Sequence, residues 1–155
     1  MDRMRHLLGR LEGARASDYY GAFKENDRTF VELEPRAMSE LTHNLLRGVR
    51  YEQVKAAREE NFHYLDASLG AKNPLHPHCP EGPYAYPFYC SSGMALKQKL
   101  AQRGIFVPTL WPNVKETGNS LERDLAENIL PLPIDQRYGS ADILRIVTEV
   151  VSCLN

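Results

Sequence analysis

The residues of this chain that could do chemistry are six lysines, a His-Pro-His-Cys run, an arginine ahead of a helix start, and a single tryptophan. A lysine amine forms Schiff bases with carbonyl compounds where a desolvated pocket lowers its pKa. Lys55, Lys97 and Lys99 fall on the polar faces of expected amphipathic helices, Lys72 and Lys115 in expected loops, and Lys24 among charges. No lysine is therefore expected to act as a nucleophile, and no catalytic residue is assigned. His76, His78 and Cys79 are metal-ligand types. Their spacing is too tight for all three to grip one ion, and only His63 and Cys90 could be recruited, so no metal is expected. A Cys79–His nucleophile pair would lack an orienting acid and an oxyanion feature.

Arg36 stands just before a helix whose amino-terminal amides attract negative charge, so one reading is an anion site. The other is a surface arginine pairing with Glu34 or Glu40. Trp111, between Pro108 and Pro112, falls at an expected strand end, where cleft residues often lie. With Tyr84, Tyr86 and Tyr89 it could wall a ligand cleft, although aromatic residues on strands are more often core. Arg58 and Asn61 lie in the middle of a long helix; one reading is a polar bridge between the hairpin and the small sheet, and the favoured one is structural, a buried-edge arginine pairing with Glu59, Glu60 or a loop carbonyl.

The elements that must position these groups follow from periodicity. Arg10 to Leu33 reads as a polar helical arm carrying Tyr19, Tyr20, Phe23 and Phe30, with too few aliphatics to fold alone. Glu34-Pro35 breaks it. Ser39 caps a short helix with Leu41, Leu45 and Leu46 as its expected buried face, stopped at Arg47-Gly48 by an expected left-handed glycine. A second helix runs from about Tyr51 to Leu69, with Tyr51, Val54, Arg58, Phe62, Leu65 and Leu69 recurring along one face, completing a helical hairpin. After a Pro/His loop, strands are expected at 84–90, from Ile105-Phe106-Val107 onward, and at 129–133. Helices are expected from Ser91 or Ser92 to Arg103, from Leu121 to Asn128, and from Ser140 to the carboxy terminus. Asn113 to Ser120 reads as a polar loop. The expected fold class is α+β: a small antiparallel or mixed sheet of about three strands, helices on one side, preceded by the helical arm and hairpin. The expected division is an arm or linker over 1–34 and a small domain over 35–155.

Composition narrows the partners. The net charge is −1, from 19 basic and 20 acidic residues well mixed, so no basic block exists to bind nucleic acid. No apolar run approaches the roughly 20 residues of a membrane span, and no stretch of signal-peptide length follows Met1 to Leu8. Cys79, Cys90 and Cys153 are odd in number and widely spaced, which favours reduced thiols in a cytoplasmic protein.

Several runs, taken in order, resemble a known family. Pro35-Arg36-Ala37-Met38-Ser39 opens the hairpin, which continues through Arg58-Glu59-Glu60-Asn61-Phe62. Tyr86-Pro87-Phe88 follows, then Ala95 to Ile105 with its Arg-Gly-Ile ending, then Ile129-Leu130-Pro131-Leu132-Pro133 before a terminal helix. This set, over roughly 35 to 154, resembles the carboxy-terminal small domain of the DegT/DnrJ/EryC1/StrS sugar aminotransferases. The resemblance implies fold type I, dimeric, pyridoxal-phosphate (PLP) enzymes acting on nucleotide-linked keto-sugars. Their cofactor lysine sits in a large domain that these residues do not match. It also implies a small domain that closes the active site, and a homo-oligomer or a separate cofactor domain as partner.

The family places an Asn-x-Arg near the cofactor phosphate of the neighbouring subunit. Only the arginine carries over, onto Arg36, as a cofactor-binding candidate in a complete dimer; the asparagine position is Glu34, a carboxylate that repels phosphate. Where the family places a histidine behind proline-leucine, this chain has Trp111, a substrate-binding candidate that stacks but does not titrate near neutral pH. The chain alone is expected to be catalytically incompetent. The alternative is a stand-alone ligand-binding or protein-interaction module on the same fold.

Overall fold

A computed structural model describes residues 16–31 and 33–154. The stretch 1–15, which holds the start of the expected arm and the Met1 to Leu8 segment, lies outside the described residues, as does Glu32. The chain divides into two compact units, one ending at Gly48 and one beginning at Val49.

In the first unit, a 3-10 turn (Ala16–Tyr19) leads into α1 (Tyr20–Arg28), and α2 spans Glu40–Arg47. The arm helix thus stops at Arg28, short of the expected Leu33. The Thr29 amide donates to Asn26 O and the Phe30 amide to Asp27 O, both at 3.1 Å, and the Thr29 hydroxyl donates to Asn26 O at 2.7 Å. That local bonding closes the helix without a glycine. Ser39 caps α2 as expected, its hydroxyl accepting from the Thr42 amide at 3.2 Å. Two details of α2 differ from expectation. Gly48 adopts a right-handed conformation, φ −79°, so the stop is not left-handed. And α2 buries none of its residues: Leu41 is 70% and Leu45 67% exposed.

The second unit holds α3 (Tyr51–Leu69), β1 (Ala85–Tyr89), α4 (Gly93–Gln102), α5 (Val114–Thr117), α6 (Ser120–Asn128), β2 (Ile129–Pro133) and α7 (Ser140–Leu154). It is α+β, with one antiparallel sheet of two strands. The register sets Tyr86 opposite Leu132 and Phe88 opposite Leu130, and Pro87 opposite Pro131. Neither proline has an N–H, so their pair must occupy a non-hydrogen-bonded position of the ladder. Tyr86, Phe88, Leu130 and Leu132 therefore share one face, and all are buried. They join Phe62, Leu65 and Leu69 of α3, Leu96 and Leu100 of α4, and Ile143, Ile146, Val150 and Cys153 of α7 in one core. Each fully buried leucine or phenylalanine stabilises the unit by about 1.5–3 kcal/mol before chain entropy is counted.

The third expected strand does not form. Ile105 is buried, but Phe106 is exposed, and 105–110 pairs with no strand. Pro108 and Pro112 withdraw two donors, and Trp111 adopts φ +48°, a left-handed conformation incompatible with a strand. The expected polar loop contains α5 instead. Pro112 precedes it, and the side chain of Val114 packs where a Cβ on Gly118 would come within 2.7 Å.

Two buried amides hold the unit's connections. The carboxamide of Asn61 donates to the carbonyls of Ile134, Asp135 and Tyr138 at 3.2–3.3 Å, tying α3 to the link between β2 and α7. Arg58 reaches Gln136 Oε1 at 3.1 Å and the Pro83 carbonyl at 3.3 Å. Arg58 thus meets a loop carbonyl, as the structural reading expects, and Gln136 in place of Glu59 or Glu60. Asn73, only 1% exposed, donates to Pro87 O at 2.8 Å and Tyr86 Oη at 3.2 Å. Its carbonyl oxygen accepts from the amides of Leu75 and Tyr89. The Tyr86 hydroxyl in turn donates to Asp66 Oδ1 at 3.0 Å.

Candidate functional site

The chain around Trp111 is aimed by the end of α4. The Ile105 amide donates to Leu100 O at 2.9 Å, and the Gly104 amide to Ala101 O at 3.0 Å, with Gly104 at φ +79°. This is a Schellman motif, and its apolar pair, Leu100 and Ile105, is buried in the core. The start of α4 is fixed by another element. Gly93 donates its amide to Asn128 Oδ1 at 2.9 Å, in place of the expected serine cap, and a Cβ on Gly93 would lie 2.5 Å from Asn128 Cα. The end of α6 is thereby pressed onto the head of α4. The start of α6 carries a capping box: Asn119 accepts from the Glu122 amide, and the Glu122 carboxylate accepts from the Asn119 amide at 2.8 Å.

Between these elements lies an apolar hollow of about 240 Å³ lined by Leu110, Trp111, Val114, Leu125, Ala126 and Ile129. Leu125, Ala126 and Ile129 recur at helical spacing along α6 and its exit into β2. Glu122 also lines it, but its carboxylate is turned back into the capping box. Trp111 is 67% exposed, its indole open to solvent and to any ligand in the hollow. A bulky residue held at positive φ is uncommon and strained, and such residues concentrate at sites that bind. The tyrosines expected beside it do not join it. Tyr86 is core, Tyr84 is exposed, and Tyr89 donates its hydroxyl to Asp124 at 2.9 Å and lines a separate hollow with Lys72 and Cys90.

Two lysines flank the Trp111 segment. Lys97 Nζ lies 3.4 Å from the hydroxyl of Thr109, and Lys115 Nζ lies 3.9 Å from a Glu127 oxygen and 3.8 Å from Met94 Sδ. Burial first, then the charge of Lys115, pushes the Lys97 amine below its ordinary pKa, while Glu127 pulls it back up. Lys97 is thus half-buried rather than a solvated member of a polar face. Its position was not legible in the α4 periodicity, because the cover comes from the 105–115 segment, which runs beside α4 as something other than a strand.

Arg36 is exposed and belongs to the first unit. It lines a hollow with Phe30, Leu33, Glu34 and Pro35, and neither Glu34 nor Glu40 pairs with it among the described residues. The Glu34 carboxylate shares that hollow and opposes an anion there. Among the described residues, two of the lysines are engaged by other groups. Lys55 is engaged by Glu52 and Glu81, and Lys99 donates to the Cys153 carbonyl at 3.0 Å. Lys97 differs from these: it is half-buried beside Lys115, and both effects lower its pKa in the direction a Schiff-base amine needs.

The His-Pro-His-Cys loop sits apart from the Trp111 hollow's lining. His76 takes φ +42°, and burial, then the charges of Glu59 and Asp66, raises the Cys79 pKa and keeps the thiol protonated. Among the described residues, no group of three or more His, Cys, Asp or Glu is placed to hold a metal ion. Cys79, Cys90 and Cys153 are free thiols. No helix of the described residues is long and apolar enough to cross a membrane.

No protein-family model matches the chain, and no curated protein matches it.

Proposed function

We propose that this chain is the small, carboxy-terminal part of a PLP-dependent sugar aminotransferase-like protein, supplying a wall of the substrate site rather than the cofactor lysine. The observation that carries the reading is the ordered unit α4, Schellman turn at Arg103-Gly104-Ile105, outward-facing Trp111 over an apolar hollow, then β2 and α7. In that setting Trp111 offers a flat apolar face to a sugar or base. The rest of the chemistry belongs to a cofactor domain supplied by another part of the protein or another subunit. Arg36 approaches a phosphate only in such an assembly. A homo-oligomer in a cytoplasmic setting is part of the same reading, and the exposed Leu41 and Leu45 of α2 suit it.

A titration with PLP, followed by visible absorption, tests this. The chain alone should give no saturable internal-aldimine band. A one-to-one band that vanishes in a single lysine variant, Lys97→Gln first among them, would sink the reading.

A second reading, a stand-alone ligand-binding module, is favoured by one fact: every residue lining the Trp111 hollow comes from the second unit. The site then needs no partner to be formed. Ligand binding by the isolated chain, with no effect of an added cofactor domain, would favour it.

A further inference from the structure

We propose that residues 108–117, which carry Trp111 and α5, form a strap that swings away from α6 as one piece and opens the Trp111 hollow. The inference goes beyond the reading of Trp111 as a ligand wall, and its test uses no ligand.

The ends of the strap are fixed. Ile105 is buried and Val107 leans on the core at one end. At the other, Asn119 is locked into the capping box of α6. Between them no residue from Pro108 to Thr117 is buried. The backbone of this stretch bonds to its own neighbours. The amides of Val114, Lys115 and Glu116 donate to the carbonyls of Trp111, Pro112 and Asn113, and that of Gly118 to Val114 O at 2.8 Å. Among the described residues, no backbone hydrogen bond joins 108–117 to α4, α6 or β2.

Side chains hold the strap instead, and weakly. Lys97 Nζ meets the Thr109 hydroxyl at 3.4 Å, and Lys115 Nζ lies 3.9 Å from a Glu127 oxygen and 3.8 Å from Met94 Sδ. These lengths stand at the outer limit of such contacts. The apolar grip is incomplete as well. Leu110 and Val114 share with Leu125, Ala126 and Ile129 the lining of about 240 Å³ of unfilled space, so the walls forgo the dispersion contacts of a packed core. Few buried contacts and no backbone bond to the body mark a segment that opens locally, well below the cost of global unfolding. Trp111 biases the strap toward opening, because its φ of +48° is a strained conformation for a bulky residue, relieved when the chain is free to turn. Gly118, which has no side chain to strike Val114, serves as one pivot.

The test places a thiol beneath the strap and follows its alkylation by N-ethylmaleimide in the whole chain. Ala126 is 8% exposed and lines the hollow, so the thiol of Ala126→Cys is reached only when something moves. Cys153, buried in the core, reports global unfolding in the same molecule, and peptide mass spectrometry separates both from Cys79 and Cys90. The introduced thiol should be labelled at least about tenfold faster than Cys153, with a shallower dependence on urea. Cutting the side-chain ties with Thr109→Val and Lys115→Met together should speed it about fivefold more, the size of a lost hydrogen bond, and leave Cys153 unchanged.

Labelling of the introduced thiol at the rate and urea dependence of Cys153 would overturn the proposal, since the wall would then be uncovered only by global unfolding. Fast labelling that ignores the double variant would overturn it too, by placing the opening elsewhere. If Ala126→Cys fails to fold, Val114→Cys on the strap itself gives the same comparison. The PLP titration fails or succeeds independently of these rates.

Discussion

Replacing Asn73 by alanine probes how one side chain holds the sheet. Asn73 has its two amide protons and its carbonyl oxygen all engaged: Pro87 O at 2.8 Å, Tyr86 Oη at 3.2 Å, and the amides of Leu75 and Tyr89 at 3.3 and 3.2 Å. Alanine keeps none of them. Each bond is worth about 0.5–1.5 kcal/mol net, and leaving a buried partner unmatched costs about 1–3 kcal/mol. Tyr86 is fully buried and keeps only Asp66, whereas Leu75 is exposed and regains water. Counting about 1 kcal/mol for each of the three less exposed partners gives a loss near 3 kcal/mol. For a unit of this size that lowers Tm by about 12 °C. Urea unfolding followed by circular dichroism measures the loss, and hydrogen exchange at the Tyr89 amide shows whether it is local. A loss below about 1 kcal/mol with Tyr89 protection unchanged would refute the reasoning, since it would mean water replaces Asn73 without penalty.

Two glycines should separate crowding from strain. Gly93→Ala drives a Cβ to 2.5 Å from the Asn128 backbone and should cost about 3 kcal/mol or more in the same unfolding assay. Gly104→Ala meets only a guanidinium at 3.7 Å but sits at φ +79°, so its cost should be about 1 kcal/mol. Light scattering across a concentration series should show association of the wild-type chain. Leu41→Glu with Leu45→Glu on the exposed face of α2 should abolish it, and a monomer at every concentration would count against the oligomer.

Much of the second unit could be read from its residues. The α3 stripe through Phe62, Leu65 and Leu69, the α7 stripe through Ile143, Ile146 and Val150, and the strands around Pro87 and Pro131 all follow from periodicity, because burial on one face imposes it. The stretch after Gly104 could not be read the same way. Ile105-Phe106-Val107 has strand composition, yet a strand also needs a partner, and the flanking prolines leave none; composition does not carry that information. The same limit applies to α2. Its stripe of Leu41, Leu45 and Leu46 has the period of a buried face, but periodicity does not say whether the cover lies in the same chain. At the candidate site, Trp111 stood out as a lone indole between prolines, whereas the half-burial of Lys97 arises from a tertiary contact with Thr109, beyond the helix whose periodicity was read. Asn73 gave no signal at all, since an asparagine after a helix end is usually an exposed turn residue.

The facing prolines of the sheet bear on how copies of this protein could meet. In a two-stranded sheet both strands are edges, and an exposed edge ordinarily recruits a strand from another molecule. With Pro87 opposite Pro131, the outward-pointing backbone groups belong to Ala85, Pro87 and Tyr89 on one side and Ile129, Pro131 and Pro133 on the other. Three of these six residues are prolines with no N–H to offer. The Tyr89 amide is taken by Asn73, and that of Ile129 by Leu125 O. Only Ala85 keeps a donor facing outward, so the sheet gives a foreign strand almost nothing to zip onto. Among the described residues, strand addition at either edge of this sheet is thus disfavoured by composition.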